Sequence, residues 1–260
     1  MLKFDPNLRW LFTELPMIDR YAAAAGAGFK GVESAFPYDI PARELAGRLS
    51  DLDLKLVQVL SPFDWAGGER GIAALPGREA DYRDSVERAL AYAVEVGRPN
   101  VHIMAGNVPP ELDRRACMAL FVSNIGWAAE RAAEAGITLI LEPCAKARFP
   151  HFLYHRIEEG VDVIEAVGRD NVKLCFDTFH VQTEQGSIAE RLQQHWTHVG
   201  HIQVGDVPGR HEPGTGEIRF EFLFGLIESL GWDGWIGCEY TPSSSTLPTL
   251  GWARAYGVGG

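Results

Sequence analysis

The sequence predicts a single α/β domain whose eight parallel strands close into a (β/α)8 barrel. Three observations carry that prediction. Short β-rich runs alternate with longer, Ala-rich amphipathic stretches along 260 residues, and such alternation builds a parallel sheet with helices outside it. The alternation repeats eight times, which is the count that closes a barrel, and about 250 residues is the usual length of one. No G-x-G-x-x-G directly follows the first expected strand and no G-x-x-x-x-G-K occurs, so the Gly-rich phosphate turn that opens a doubly wound sheet is missing. No linker-like shift in composition and no low-complexity tract divides the chain, which predicts one domain over 1–260.

The strands are expected at 10–12, 31–34, 55–60, 100–105, 138–142, 172–177, 200–205 and 235–240. Clear helical patterns lie at 15–25, 80–96, 116–135, 160–167 and 220–230, with weaker ones at 41–52, 187–195 and 247–256. Gly28, Gly97, Gly136 and Gly231 follow four of these helices, where a glycine is the expected C-terminal cap.

Composition limits what the domain does. The formal charge is −11, with 46% hydrophobic and 23% charged residues. An acidic surface without a Lys/Arg run repels phosphate backbones, which argues against nucleic acid as a partner. Cys117, Cys144, Cys175 and Cys238 form neither a C-x-x-C pair nor a disulfide framework. They are read as buried thiols in a reducing cytoplasm. Lys3, Asp5, Arg9, Glu14, Asp19 and Arg20 interrupt any signal-peptide core. No apolar run reaches the length of about 18 residues that spans a bilayer. A homo-oligomer is compatible with the sequence.

Polar residues at the ends of strands point to chemistry. TLILE ends in Glu142, VKLCFD in Asp177 and WIGCE in Glu239, while HIQV carries Gln203. Side chains alternate faces along a strand, so Leu174 and Phe176 oppose Cys175 and Asp177, and Ile202 and Val204 oppose Gln203. With the apolar set against the helices, the polar set points into the barrel near the strands' C-terminal ends, the catalytic face of this architecture. Successive donors are separated by roughly one βα unit, about 30 residues. Four neighbouring strands therefore deliver four oxygen donors to one rim. Three carboxylates and an amide oxygen suit a hard divalent cation, Mg²⁺ or Mn²⁺. By the same alternation His102 and Met104 face inward, and His201 lies one layer below Gln203. The Gly214-Thr215-Gly216 run is read as a tight loop turn.

These residues carry a family resemblance. Segment 201–217, HIQVGDVPGRHEPGTGE, is similar to the hydroxypyruvate isomerases of the xylose-isomerase-like TIM barrel group. GWIGCEY at 234–240, LEP at 141–143, DTFH at 177–180 and VHIMAG at 101–106 resemble them too. The likeness spans the chain, more weakly before residue 100. It implies a divalent cation on Glu142, Asp177, Gln203 and Glu239, with Glu142 and Glu239 as the acid/base pair. It further implies substrate contacts from His180 and Arg210; the inward-facing His102, placed by alternation, is expected to help shape the pocket. Cys144-Ala145 and Thr178-Phe179 replace the Ile-Asn and Ile-Tyr usual in that family. Both departures lie beside the pocket and bear on substrate length.

The expected reaction is an aldose–ketose type isomerisation of a small hydroxy-carbonyl acid through an enediolate. Hydroxypyruvate and 2-hydroxy-3-oxopropanoate are the leading pair, with Arg210 as partner of the substrate carboxylate. A ketose 3-epimerase or 2-oxo-sugar-acid isomerase of the same barrel group is the nearest alternative. A metal-dependent endonuclease and a non-catalytic sugar-acid binding protein are more distant ones.

Overall fold

The computed structural model describes residues 1–259, leaving the last residue of the expected 1–260 span, Gly260, outside the described residues. Eight parallel strands form one sheet: β1 (Lys3–Pro6), β2 (Gly31–Glu33), β3 (Lys55–Leu60), β4 (Asn100–His102), β5 (Leu139–Leu141), β6 (Val172–Asp177), β7 (Val199–Val204) and β8 (Trp235–Cys238). Their order is β1-β8-β7-β6-β5-β4-β3-β2. The ring closes between its two ends by a parallel bridge from Asn7 to Glu33, and the Leu8 N–H donates to the Glu33 carbonyl at 2.9 Å.

Helices α1 (Met17–Gly26), α2 (Ala42–Asp51), α3 (Glu79–Glu95), α4 (Arg114–Glu134), α5 (Ile157–Val167), α6 (Thr178–Glu184), α7 (Ile188–Gln194) and α8 (Phe220–Ser229) connect the strands. A 3-10 segment, Leu247–Tyr256, follows β8. It closes over the first strand: Phe4 packs edge-on against Phe224 at 5.2 Å and Trp252 at 5.0 Å. Among the described residues no helix is long and apolar enough to cross a membrane. All four cysteines are free and buried.

Seven strands fall where the alternation predicts them, and the first does not. Residues 10–12 form a rim turn after β1, not a strand. Leu11 and Phe12 are apolar because they are buried in that turn, and Phe12 takes φ 58° while its N–H donates to Thr246 Oγ1 at 2.6 Å. Positive φ is incompatible with a strand. The true β1 hides because its charges are structural: Phe4 faces the helices while Asp5 is buried. Helix α6 was also not predicted. It is a short helix capped by Asp177, whose Oδ1 accepts the Phe179 N–H at 2.8 Å.

One glycine sets the position of the long loop between β3 and α3. Gly71 has φ 99° and bridges Ala105 at the end of β4, and a Cβ there would lie 2.0 Å from the Met104 carbonyl oxygen. Gly71→Ala combines a left-handed backbone with a clash against main chain. It is expected to lower stability by about 1–3 kcal/mol in denaturant titration. An unchanged midpoint would show that this loop is not anchored there.

Candidate active site

The C-terminal end of the barrel holds a cavity of about 510 Å³, within the range of small-molecule sites. Its floor comes from strand ends, and its walls come from the loops after β1, β3 and β5. Glu142, Gln203, Glu239, His102, His180 and Arg210 all line it. Six of the residues singled out from sequence thus share one cavity, and Asp177 joins them through Arg210.

Arg210 is the hub. It is 4% exposed. Its Nη2 donates to Asp177 Oδ2 and forms an ion pair with Glu239 Oε1 at 3.0 Å. Its Nε donates to the Glu239 carbonyl at 2.9 Å, and its Nη1 lies 3.1 Å from His180 Nε2. Both bidentate edges of a guanidinium use Nη2, and that nitrogen is held between the Asp177 and Glu239 carboxylates. The loop carrying Arg210 is folded around Asp206, whose carboxylate accepts N–H groups from Val207, Gly214, Gly216 and Ile218. This is the physical basis of the tight turn expected at Gly214–Gly216.

The carboxylates outnumber their cation. Burial pushes Glu142 well up from the usual carboxylate range, and Asp177 and Glu239 push it further. Burial raises Glu239 to about 7 against the pull of Arg210. Burial also raises Asp177, with Arg210 and the Phe179 and His180 N–H groups opposing it. For Arg210, burial acts downward, but Asp177, Glu239 and Glu142 leave it above its ordinary value and permanently charged. Glu142 Oε1 is buried without a hydrogen-bond partner.

The two histidines are neutral. His180 Nδ1 accepts the Ala145 N–H at 3.0 Å, and its Nε2 faces both Arg210 Nη1 at 3.1 Å and Glu142 Oε1 at 3.9 Å. Burial, and then Arg210, hold His180 well below its ordinary pKa. Burial pushes His102 down to about 3, and its Nε2 sits 3.7 Å from Glu142 Oε2.

The four expected metal donors are grouped at one end of the barrel but are partly engaged with protein. Arg210 bridges Asp177 and Glu239. Gln203 Nε2 donates to Glu33 Oε2 at 2.7 Å, and Gln203 Oε1 accepts from Cys175 Sγ at 3.1 Å. Among the described residues, the donor atoms of Glu142, Cys144 and His180 lie within 4.8 Å of one another.

Glu33 was missed by the sequence reading. It organises the layer beneath the cavity, accepting from Asn7 Nδ2 at 2.9 Å and pairing with His201 Nε2 at 2.5 Å as well as with Gln203. It ends β2 as Glu142 ends its own apolar run, so the signal was there. Arg9, Trp10, Trp65 and Arg70 on the cavity walls were also missed. Both Arg9 and Arg70 stack on Trp65, with guanidinium carbons 3.9 and 4.0 Å from the ring centroid.

Comparison with known proteins agrees with this geometry. Residues 21–256 match the family described as xylose isomerase-like TIM barrel. The chain is 43% identical over 259 residues to a 2-oxo-tetronate isomerase of Cupriavidus necator, covering 98% of this chain and 99% of that one. It is 37% identical over 257 residues to the hydroxypyruvate isomerase of Escherichia coli, covering 98% and 100%. A crystal structure from Brucella melitensis, described as an AP endonuclease of family 2, superposes with a TM-score of 0.95 at 39% identity, covering 98% and 99%.

Proposed function

The chain belongs to the xylose isomerase-like TIM barrel family, and from that premise we propose that it is an isomerase of a small 2-oxo hydroxy acid. The observation that carries this reading is the pair of buried glutamates, Glu142 and Glu239, at one cavity with neutral His180 and cationic Arg210 beside them. An isomerisation of this class takes a proton from the carbinol carbon and returns it to the former carbonyl carbon. Two carboxylates on one cavity supply a base and an acid for those transfers. Arg210 Nη1, beside His180 Nε2, is the guanidinium nitrogen left to donate to a substrate oxygen, and His102 packs behind Glu142.

A divalent cation fits the donor set. Glu142 Oε1 is a buried oxygen without a partner, the thiol on Gln203 Oε1 is a weak donor, and one arginine serves three carboxylates. Glu142, Asp177, Gln203 and Glu239 would hold the ion, with Mg²⁺ or Mn²⁺ preferred by such oxygen ligands. When bound it supplies positive charge that offsets negative charge developing on the substrate's oxygens.

Within this class a four-carbon 2-oxo acid is favoured over hydroxypyruvate. The cavity exceeds what three carbons fill. The relative named for 2-oxo-tetronate shares 43% identity against 37% for the one named for hydroxypyruvate. An endonuclease reading suits this site poorly. Glu142, Asp177 and Arg210 are buried, and the chain's formal charge of −11 opposes a DNA backbone.

The test is a panel of 2-oxo-tetronate, hydroxypyruvate and neutral ketoses assayed after chelation and after adding Mg²⁺ or Mn²⁺. Chelation is expected to lower turnover at least about a hundredfold, with recovery on adding the ion. Calorimetric titration should find one site per chain. Full activity in excess chelator would remove the cation from the reading. A clear preference for neutral ketoses would make the enzyme a sugar isomerase or epimerase.

A further inference from the structure

We propose that Arg9 and Arg70, both stacked on Trp65, form the subsite that binds the substrate's carboxylate. The inference rests on the proposed acid substrate and names the residues that select it.

Arg210 cannot fill that role in the way the sequence suggested. Its Nη2 is bonded to Asp177 and ion-paired with Glu239, and its Nε donates to the Glu239 carbonyl, so neither edge is open for the two parallel bonds that a carboxylate takes from arginine. Arg9 is different. It is half-buried, it lines the cavity, and among the described residues its guanidinium has no hydrogen-bond or ion-pair partner. Arg70 lines the same cavity. Its recorded hydrogen bonds go to the carbonyls of Trp65 and Glu69, not to a carboxylate.

Among the described residues, Trp65 is the only ring with two guanidinium groups over it. Acidic residues outnumber Lys and Arg, 35 to 24. Arg78, Arg131, Arg169, Arg191 and Arg210 each have a carboxylate partner. Two unpaired arginines on one indole repel each other, and a bound anion relieves that repulsion. Stacking on Trp65 fixes both guanidinium planes while leaving the N–H groups of Arg9 and the Nε–Nη2 edge of Arg70 without a protein partner among the described residues. The placement also suits the reaction. Arg9 comes from the loop after β1 and Arg70 from the loop after β3, whereas Glu142 and Glu239 follow β5 and β8. Arg9 is near enough to Glu239 to feel its charge. An acid held by this pair extends its oxo and hydroxyl carbons toward the carboxylates on the floor.

The experiment compares two substrates that differ at one end. 2-Oxo-tetronate carries a carboxylate where erythrulose carries a hydroxymethyl group. The readout is the ratio of kcat/KM for the acid to that for the ketose. Arg9→Gln and Arg70→Gln are each expected to lower this ratio about ten- to a hundredfold, mainly through KM for the acid. Arg9→Lys and Arg70→Lys keep the charge without the fork and should lose less. Arg83→Gln removes a positive charge stacked on Trp127, away from the cavity, and should leave the ratio unchanged. A ratio that moves less than about twofold in both glutamine variants overturns the subsite and leaves the proposed function standing. Equal losses on both substrates also overturn it, because they report a loop held together by the stack. If the wild type turns over erythrulose but neither 2-oxo acid, the proposed function fails and the subsite fails with it.

Discussion

Glu142→Gln and Glu239→Gln are each expected to cut turnover by about 10²–10⁴-fold, the usual scale for loss of general acid–base assistance. Glutamine keeps the shape and one oxygen donor, but it cannot carry a proton. The loss should fall on kcat and kcat/KM together, as for an interaction made in the transition state. Stability supplies the control. Glu142 Oε1 is buried without a hydrogen-bond partner, and Glu142 is crowded by Asp177 and Glu239. Removing its charge therefore costs the fold little, so Tm should stay level or rise while activity falls, the usual trade at a strained site. Cation content must be measured in each variant, because each residue serves two roles. A variant that keeps its cation and turns over near the wild-type rate is not a proton carrier.

The catalytic floor was legible because strand alternation is a strict constraint. Once Leu174 and Phe176 are assigned to the helices, Cys175 and Asp177 have only the barrel interior left. The same constraint brings Gln203 and Glu239 to one end, since the strands run parallel and each unit repeats the geometry. It fails where a strand is short and charged. Lys3-Phe4-Asp5-Pro6 reads as a polar leader, and only the buried Asp5 and the Phe4 cluster reveal β1. It also fails off the strands. Trp65 and Arg70 lie on an irregular loop with no periodic pattern, and their meeting with Arg9 depends on a loop path fixed by Gly71 against Met104. Arg210 lines the cavity, but the reach of a long side chain is not written in its position. Sequence placed it beside the substrate, whereas the fold turns it inward onto Asp177 and Glu239.

That inward turn gives Arg210→Met the largest expected effect on stability. The substitution leaves Asp177, Glu239 and Glu142 buried with no cation among them. Stripping one partner from a buried ion pair typically costs about 3–5 kcal/mol, because the remaining charge stays desolvated and unpaired. Denaturant titration of the metal-free protein should show a loss of that size. Arg210→Lys should lose less, since it keeps a charge but not the fork that reaches both carboxylates. Adding Mn²⁺ separates two accounts of the site. A cation that binds the folded state alone stabilises it in proportion to the logarithm of its concentration over Kd. If Glu142, Asp177 and Glu239 are its ligands, saturating Mn²⁺ should return part of the stability of Arg210→Met, and more than it adds to the wild type, because no guanidinium then competes for the same oxygens. An Arg210→Met protein as stable as the wild type would show that Arg210 is not the counter-charge of this cluster. A full loss that Mn²⁺ leaves untouched would show that the cation, if it binds, binds elsewhere.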